Sequence, residues 1–599
     1  MRAARPAVVM WGACLALAVA YWPCPPAKAQ ESWNPFKSNA EQPRDRQPRP
    51  NETATPAPRQ PSPRERPTEP VNQQPAPWTS PRGGRVEKSE LSPIMAPDAS
   101  GLPLELWQGL DLKTLEELLA GLELPPRSPA LHQLWRRMLL SSATPPAGAP
   151  NSEHFVALRL EALYRSGLLG DMDTVFKAEN DPGPIVQTLR ARRDIGLGQR
   201  EAGCQAIKAL AAPSSGLPGR LKGETQLLAG YCAAAANDAQ AAGLAAELAR
   251  EEGIEAELPL AVLTAFAAGT KPKLALPKRV LLLDYRFLEL LGPINALQIF
   301  DKAEPALLTM LAGNTQAGAP LQIASAEAAL RLNALSPERV ADVYRRQSLS
   351  GAGVADPAAQ SVDPLLRRAL FFQAADVARA PAQRARFLSA IVDDAHKSGT
   401  NLQMARVVAP LLAALQPSPD LVWFAEIGVQ TALAAGEFGQ ARQWAETAGL
   451  RHWVALTDIA DPERRGGRPA TLGAVQDLVA HGRLSVEALH KLATVLDALD
   501  IDVPIVIWDA ASRAPQPSGG FLPETGILAD LAQSAKRNDA GRTILLVMRA
   551  LGANGAEGAN VLALGDAVRA LKRIGLEADA RRLGLEALLP AWPHAAANR

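Results

Sequence analysis

From Gly101 to Pro593 the chain repeats one local pattern: an amphipathic stretch of helical period, a tight turn rich in Gly, Asn or polar residues, and a second amphipathic stretch. Between Phe155 and Tyr164, for example, Val156, Leu160, Leu163 and Tyr164 stand at i, i+4, i+7 and i+8, which makes one apolar stripe. Alternation of the β kind is nearly absent. The run Ile505 to Trp508 follows Asp502 and Pro504 and reads as the start of a helix. The apolar fraction of 47% is carried by Ala and Leu, while aromatics are only 5%, so the residue choice favours helix over strand. These features predict an all-α fold, an irregular α-solenoid of stacked helical hairpins with roughly 25 helices at one helix and turn per 18–20 residues.

Local signals agree with the period. Thr114 and Glu117 have capping-box spacing, and Ser336-Pro337 places an N-cap before a proline at the first helical position. A further regularity links turns to packing. Gly436 is followed five residues later by Ala441, Gly198 by Gly203, Asn237 by Ala242, Ala380 by Ala385 and Gly575 by Ala580. Gly170 and Gly482 break the rule with Val175 and Glu487. Where two helices cross just past their turn, a small side chain lets the backbones approach.

The turn Gly436, the aromatic Phe438 two later and Ala441 three after that resemble the second-helix signature of the tetratricopeptide family. One repeat matches well and four or five loosely. The first-helix Trp and Leu-Gly positions are not reproduced, and the turn spacing varies. The resemblance implies an α-solenoid that binds proteins or peptides on a concave face, with no specific peptide-binding residue to carry over. The layout as a whole, with its opening Leu102-Pro103-Leu104-Glu105-Leu106-Trp107 and closing Ile574-Gly575-Leu576, also resembles a family of secreted helical-repeat proteins of Gram-negative bacteria. That second resemblance implies no activity.

The N-terminus has Arg2 and Arg5, an apolar run from Ala7 to Trp22, and Ala27-Lys28-Ala29 before Gln30. This reads as a signal peptide over 1–29 cleaved after Ala29, because a membrane span needs about 20 apolar residues and Pro23, Pro25 and Pro26 end the run early. Residues 30–100 hold 15 Pro after Glu31 with mixed charges and are expected to form a disordered linker. The helical-repeat domain is then expected over 101–456, a linker loop over 457–470 and a C-terminal helical block over 471–593. The anticipated location is periplasmic or secreted, with membrane association only if the signal is retained.

Removal of the signal takes Cys14 and Cys24 and leaves Cys204 and Cys232. They lie in adjacent amphipathic stretches across the Pro213 to Pro218 turn, so a structural disulfide is expected, with buried free thiols or a redox pair as alternatives. Sixty-three Lys and Arg against 62 Asp and Glu give a net charge of +1, which argues against nucleic-acid binding. Walker A, G-x-S-x-G and H-E-x-x-H motifs are absent. Consecutive residues on a helix point about 100° apart, so Asp393, Asp394 and His396 do not readily converge on one metal, and Asp497, Asp500 and Asp502 lie where caps are needed. No cofactor, metal or catalytic residue is expected.

Two groups are candidates for binding a partner. Trp423, Phe424, Phe438, Trp444 and Trp453 form the densest aromatic group, a ligand groove on one reading and the core of one repeat on the other. Arg464, Arg465 and Arg468 offer charge to an anionic partner or simply face solvent. The expected function is a non-enzymatic periplasmic scaffold or adaptor for envelope proteins or peptides. The alternatives are a structural or stress-related exported protein without a discrete ligand, and a cell-wall-acting enzyme whose site would be a cleft holding a Glu of raised pKa.

Overall fold

The computed structural model describes residues 95, 98–148, 152–179, 182–210, 217–271, 274–348, 364–463 and 469–594. Among these residues there are 28 α-helices and no strand, in agreement with the all-α expectation. The signal peptide and Pro-rich linker expected over 1–29 and 30–100 lie outside the described residues except at the very end of the second.

The first helices are α1 (Leu112–Ala120), α2 (Pro129–Leu140), α3 (Ser152–Arg165), α4 (Met172–Ala178) and α5 (Pro184–Gly196). Next come α6 (Arg200–Ala209), α7 (Gly219–Ala235), α8 (Ala239–Glu251), α9 (Glu257–Ala267) and α10 (Leu282–Glu289). The middle of the chain holds α11 (Ala296–Phe300), α12 (Pro305–Gly313), α13 (Ala319–Arg331), α14 (Pro337–Arg346), α15 (Pro364–Val377), α16 (Pro381–Lys397) and α17 (Asn401–Ala413). A 3-10 turn, Pro419–Phe424, leads into α18 (Ala425–Ala435), α19 (Phe438–Thr447), α20 (Arg451–Ala460) and α21 (Pro469–Ala480). The last are α22 (Val486–Ala498), α23 (Ile505–Arg513), α24 (Ile527–Arg537), α25 (Ala540–Leu551), α26 (Gly555–Gly558), α27 (Val561–Arg573) and α28 (Glu577–Leu588).

The turn chemistry is visible in the backbone. Gly436 adopts φ 85° and caps α18, and Ala441 five residues on is fully buried, as are Ala242, Ala385 and Ala580. At Gly203 a Cβ would stand 2.6 Å from Ile195 Cγ1, so the small residue is required by the crossing of α5 and α6. Ser336 caps α14 as expected, by accepting from Arg339 N–H. At α1 the cap lies three residues earlier than Thr114: Asp111 accepts from Thr114 N–H and from its hydroxyl. A carboxylate is the stronger acceptor for the free N–H groups, so Thr114 serves as donor.

Helices adjacent in sequence pack on one another along the chain, and its two ends then meet. Helices α1 and α2 pack on α25, and α2 also packs on α28. Gly541 N–H donates to Leu106 O at 2.8 Å, and Arg137 pairs with Asp579 at 2.5 Å. The Glu586 carboxylate from α28 accepts from Ser128 Oγ and Ala130 N–H and so caps α2 from 456 residues away. An open array would leave both ends exposed; here each end covers the other.

One hydrophobic core therefore extends from Leu102 to Trp592, and a smaller one spans Ala191 to Phe287. The smaller core is built on α5 to α10. The packing thus divides elsewhere than at the linker expected over 457–470. Thr457 to Ala460 complete α20 and are buried, and α20 packs on both α21 and α28.

Candidate functional site

Three loops far apart in sequence meet at a cleft of about 280 Å³. The first precedes α2 and contributes Glu123, Leu124, Pro125 and Arg127. The second leads into α10 with Lys278 and Arg279, and the third joins α11 to α12 with Asp301, Lys302 and Glu304. The loops are held rigidly. Val280 N–H donates to Lys302 O at 2.8 Å and Glu304 N–H to Val280 O at 3.0 Å, which ties the second loop to the third. Asn333 Nδ2 donates to the carbonyls of Pro126 and Arg127, and Arg127 N–H to Ala553 O, which fixes the first.

Charge in the cleft is uneven. Arg127 pairs with Glu123 at 3.2 Å, both well exposed. Glu304 is buried and uses its carboxylate to accept from Leu282 N–H at 2.7 Å, capping the first turn of α10. Burial pushes its pKa up to about 7, against the lowering effects of that hydrogen bond and of Arg279. Behind it lies a buried ionic group. The Arg192 guanidinium pairs with Glu161 and Glu224 and lies 4.1 Å from the Tyr164 ring centroid. Burial disfavours the charge of Arg192, but the two carboxylates outweigh it and hold the group cationic. Burial raises Glu224 in turn, opposed by Arg192.

The aromatic group singled out in the sequence is mostly core. Phe424, Trp444 and Trp453 are buried, and the Phe424 and Trp444 rings meet edge to face at 5.5 Å. Trp444 lies flat against Gly428, where a Cβ would stand 2.9 Å from its ring. Phe438 is partly buried against the same core. Phe424, Trp444 and Trp453, at 0–1% exposure, cannot line a groove, and Phe438 packs at the edge of the core they form. Trp423 differs: it is 51% exposed, beside Val422, on a turn anchored by buried Leu421 and Phe424. Arg464, Arg465 and Arg468 lie outside the described residues.

Two further exposed aromatics were not singled out. Trp508 projects from α23 with Ile505 and Val506, and Phe521 projects with Leu522 from the loop before α24. Phe521 is fixed by hydrogen bonds to Gly558 O and from Asn560 N–H. Trp423, Trp508 and Phe521 are the exposed aromatic side chains among the described residues, and all belong to the last third of the chain. The run Ile505 to Trp508 is the helix start read in the sequence, and of its four side chains only Ile507 is buried.

The cysteine pair is as expected. Cys204 on α6 and Cys232 on α7 form a disulfide with Cα atoms 5.7 Å apart. The acids near the end of α22 are in ion pairs, Asp497 with Arg569 and Asp500 with Lys572, and Asp394 pairs with Arg368. Among the described residues no three His, Cys, Asp or Glu side chains are placed to hold a metal ion, and no helix is long and apolar enough to cross a membrane. The cleft was missed in the sequence because no loop contributes more than two basic residues to its lining. Its only local signal is the Pro277-Lys278-Arg279 step between apolar neighbours.

These features define a class, an all-α protein of stacked helical hairpins with joined ends, one disulfide and a basic cleft. No protein-family model, curated protein or solved structure matches the chain.

Proposed function

We propose that this protein is a non-enzymatic helical-repeat adaptor of the cell envelope that binds a protein or peptide partner. The observation carrying this reading is the exposed aromatic set, Trp423, Trp508 and Phe521, each on a rigid mount and accompanied by an exposed aliphatic neighbour. Large rigid side chains of this kind carry most of the energy in protein interfaces. The signal-like N-terminus and the disulfide support placement in an oxidising compartment outside the cytoplasm. The tetratricopeptide-like turn at Gly436 supports the same reading.

A photo-crosslinking residue placed at 423 and at 508, with position 244 on α8 as an exposed control, tests it in envelope extract. One partner should be captured at both sites, absent from the control, and lost in Ile505→Glu. Capture indistinguishable from the control would instead favour a structural exported protein without a discrete ligand. A second reading, a cell-wall-acting enzyme, is favoured by one observation: Glu304 lines a cleft and has its pKa raised to about 7. Lysis of peptidoglycan by the wild type and not by Glu304→Gln would establish it.

A further inference from the structure

We propose that the cleft between the three loops is a binding site for a small polyvalent oxyanion, a phosphate group or a cluster of carboxylates, gripped by Arg127, Lys278, Arg279 and Lys302. This goes beyond the adaptor reading and does not rest on the exposed aromatics.

Four cationic side chains border one void of about 280 Å³, and they come from three segments that meet only in the folded chain. The segments cannot spread to relieve their mutual repulsion. The backbone bonds between Val280 and Lys302 and between Glu304 and Val280 lock two of them edge to edge. Asn333 and Ala553 hold the third.

The acids in the lining do not balance this charge. Glu123 is engaged with Arg127, and Glu304 is turned to the α10 backbone. Only Asp301 remains against Lys278, Arg279 and Lys302, none of which forms a salt bridge among the described residues. A monovalent ligand would leave like charges facing each other, whereas a group with two or more negative charges neutralises them together. Two guanidinium forks add planar, bidentate geometry suited to phosphate or carboxylate oxygens. The volume admits a group the size of a diphosphate or a tricarboxylate and is too small for a nucleic-acid duplex. The near-zero net charge of the whole chain is consistent with local recognition of this kind.

Isothermal titration of the full chain with sodium pyrophosphate and with sodium citrate, each against sodium chloride at matched ionic strength, tests the site. Saturable 1:1 binding of pyrophosphate, citrate or both is expected, and the stronger of the two identifies phosphate or carboxylate as the chemistry preferred. The double variant Lys278→Glu/Lys302→Glu should lose affinity at least about tenfold. Lys536→Glu, a reversal of one exposed charge on α24, should not. Lys278→Gln/Lys302→Gln supplies a milder variant, and far-UV circular dichroism checks that all variants are folded. Heats no greater than those of chloride, or unchanged affinity in folded double variants, would overturn the proposal.

Discussion

Two helix-interior glycines with opposite surroundings show how much one Cβ can decide. Gly428 on α18 faces the Trp444 ring, and a methyl group there would stand 2.9 Å from a side chain with no room to move. Gly473 on α21 has open space. Gly428→Ala should therefore lower stability by about 1–3 kcal/mol through overpacking. Gly473→Ala should raise it by up to about 1 kcal/mol through helix propensity. Urea midpoints of the two variants measure both signs.

Protonation also acts at the residue scale. Burial raises the carboxyls of Glu304 and Glu586 to about 7 and that of Asp284 to about 6. The folded chain keeps these protons over a range where the unfolded chain, with Glu near 4.5, has released them. Their stabilisation is complete below that lower value and is lost as pH rises through the folded values. Buried His132, lowered to about 3 by burial first and then by Arg406 and Arg136, works in the opposite sense: stability is lost as pH falls from 6.5 towards 3. Above pH 6.5 the carboxylate slope dominates. The urea midpoint should fall between pH 6.5 and 8, and Glu586→Gln should flatten that fall. A midpoint that rises over this interval in the wild type would contradict the assignment.

At the scale of elements, the α6–α7 hairpin is the one joined covalently. It belongs to the smaller hydrophobic core and closes a loop of 28 residues. On the chain-entropy account, such a loop is worth about 3.5 kcal/mol. Cys204→Ser should accelerate amide exchange across α6, α7 and α8, which build the smaller core, while α20 to α28, which belong to the larger one, keep their protection. Uniform acceleration throughout the chain would instead show that they unfold as one.

The elements were also where the sequence was most legible. The stripe Val156, Leu160, Leu163 and Tyr164 is buried as its spacing requires, and the small residues after turns lie at helix crossings. Both follow from local rules, period and close approach, that one segment displays by itself. The candidate site was hardly legible. Lys278 and Lys302 are 24 positions apart and meet through a single backbone bridge, a relation no segment contains. Among the aromatics, Trp423 and Trp444 look alike in sequence, and only the packing of α18 on α19 separates the exposed ring from the enclosed one.

For the whole molecule, the joining of its ends is the principal departure from a repeat array. In a solenoid each repeat contacts its neighbours and stability is added along the chain. Here α1 and α2 depend on α25 and α28. Gly541 permits the closest backbone approach, since a Cβ there would lie 2.5 Å from Leu106 O. Gly541→Val should detach the first hairpin without melting the middle helices. Limited proteolysis should then cut within 98–148 faster by about tenfold, the equivalent of about 1.4 kcal/mol. Unchanged cutting there would mean that this seam is not needed to hold the ends together.

The same joining sets an order of assembly. Ser128 and Glu586 are separated by 458 positions, so the first hairpin emerges from the ribosome, and from any export channel, long before its partners exist. Trp107 and Trp135 meet Phe155 and Ser166 of the α3 region soon after they are made, whereas the cap on α2 waits for Glu586. Contacts of such high sequence separation form late and slowly. A chain built this way leaves its first hairpin without the contacts of α25 and α28, and open to holding factors and proteases, until those helices have been made.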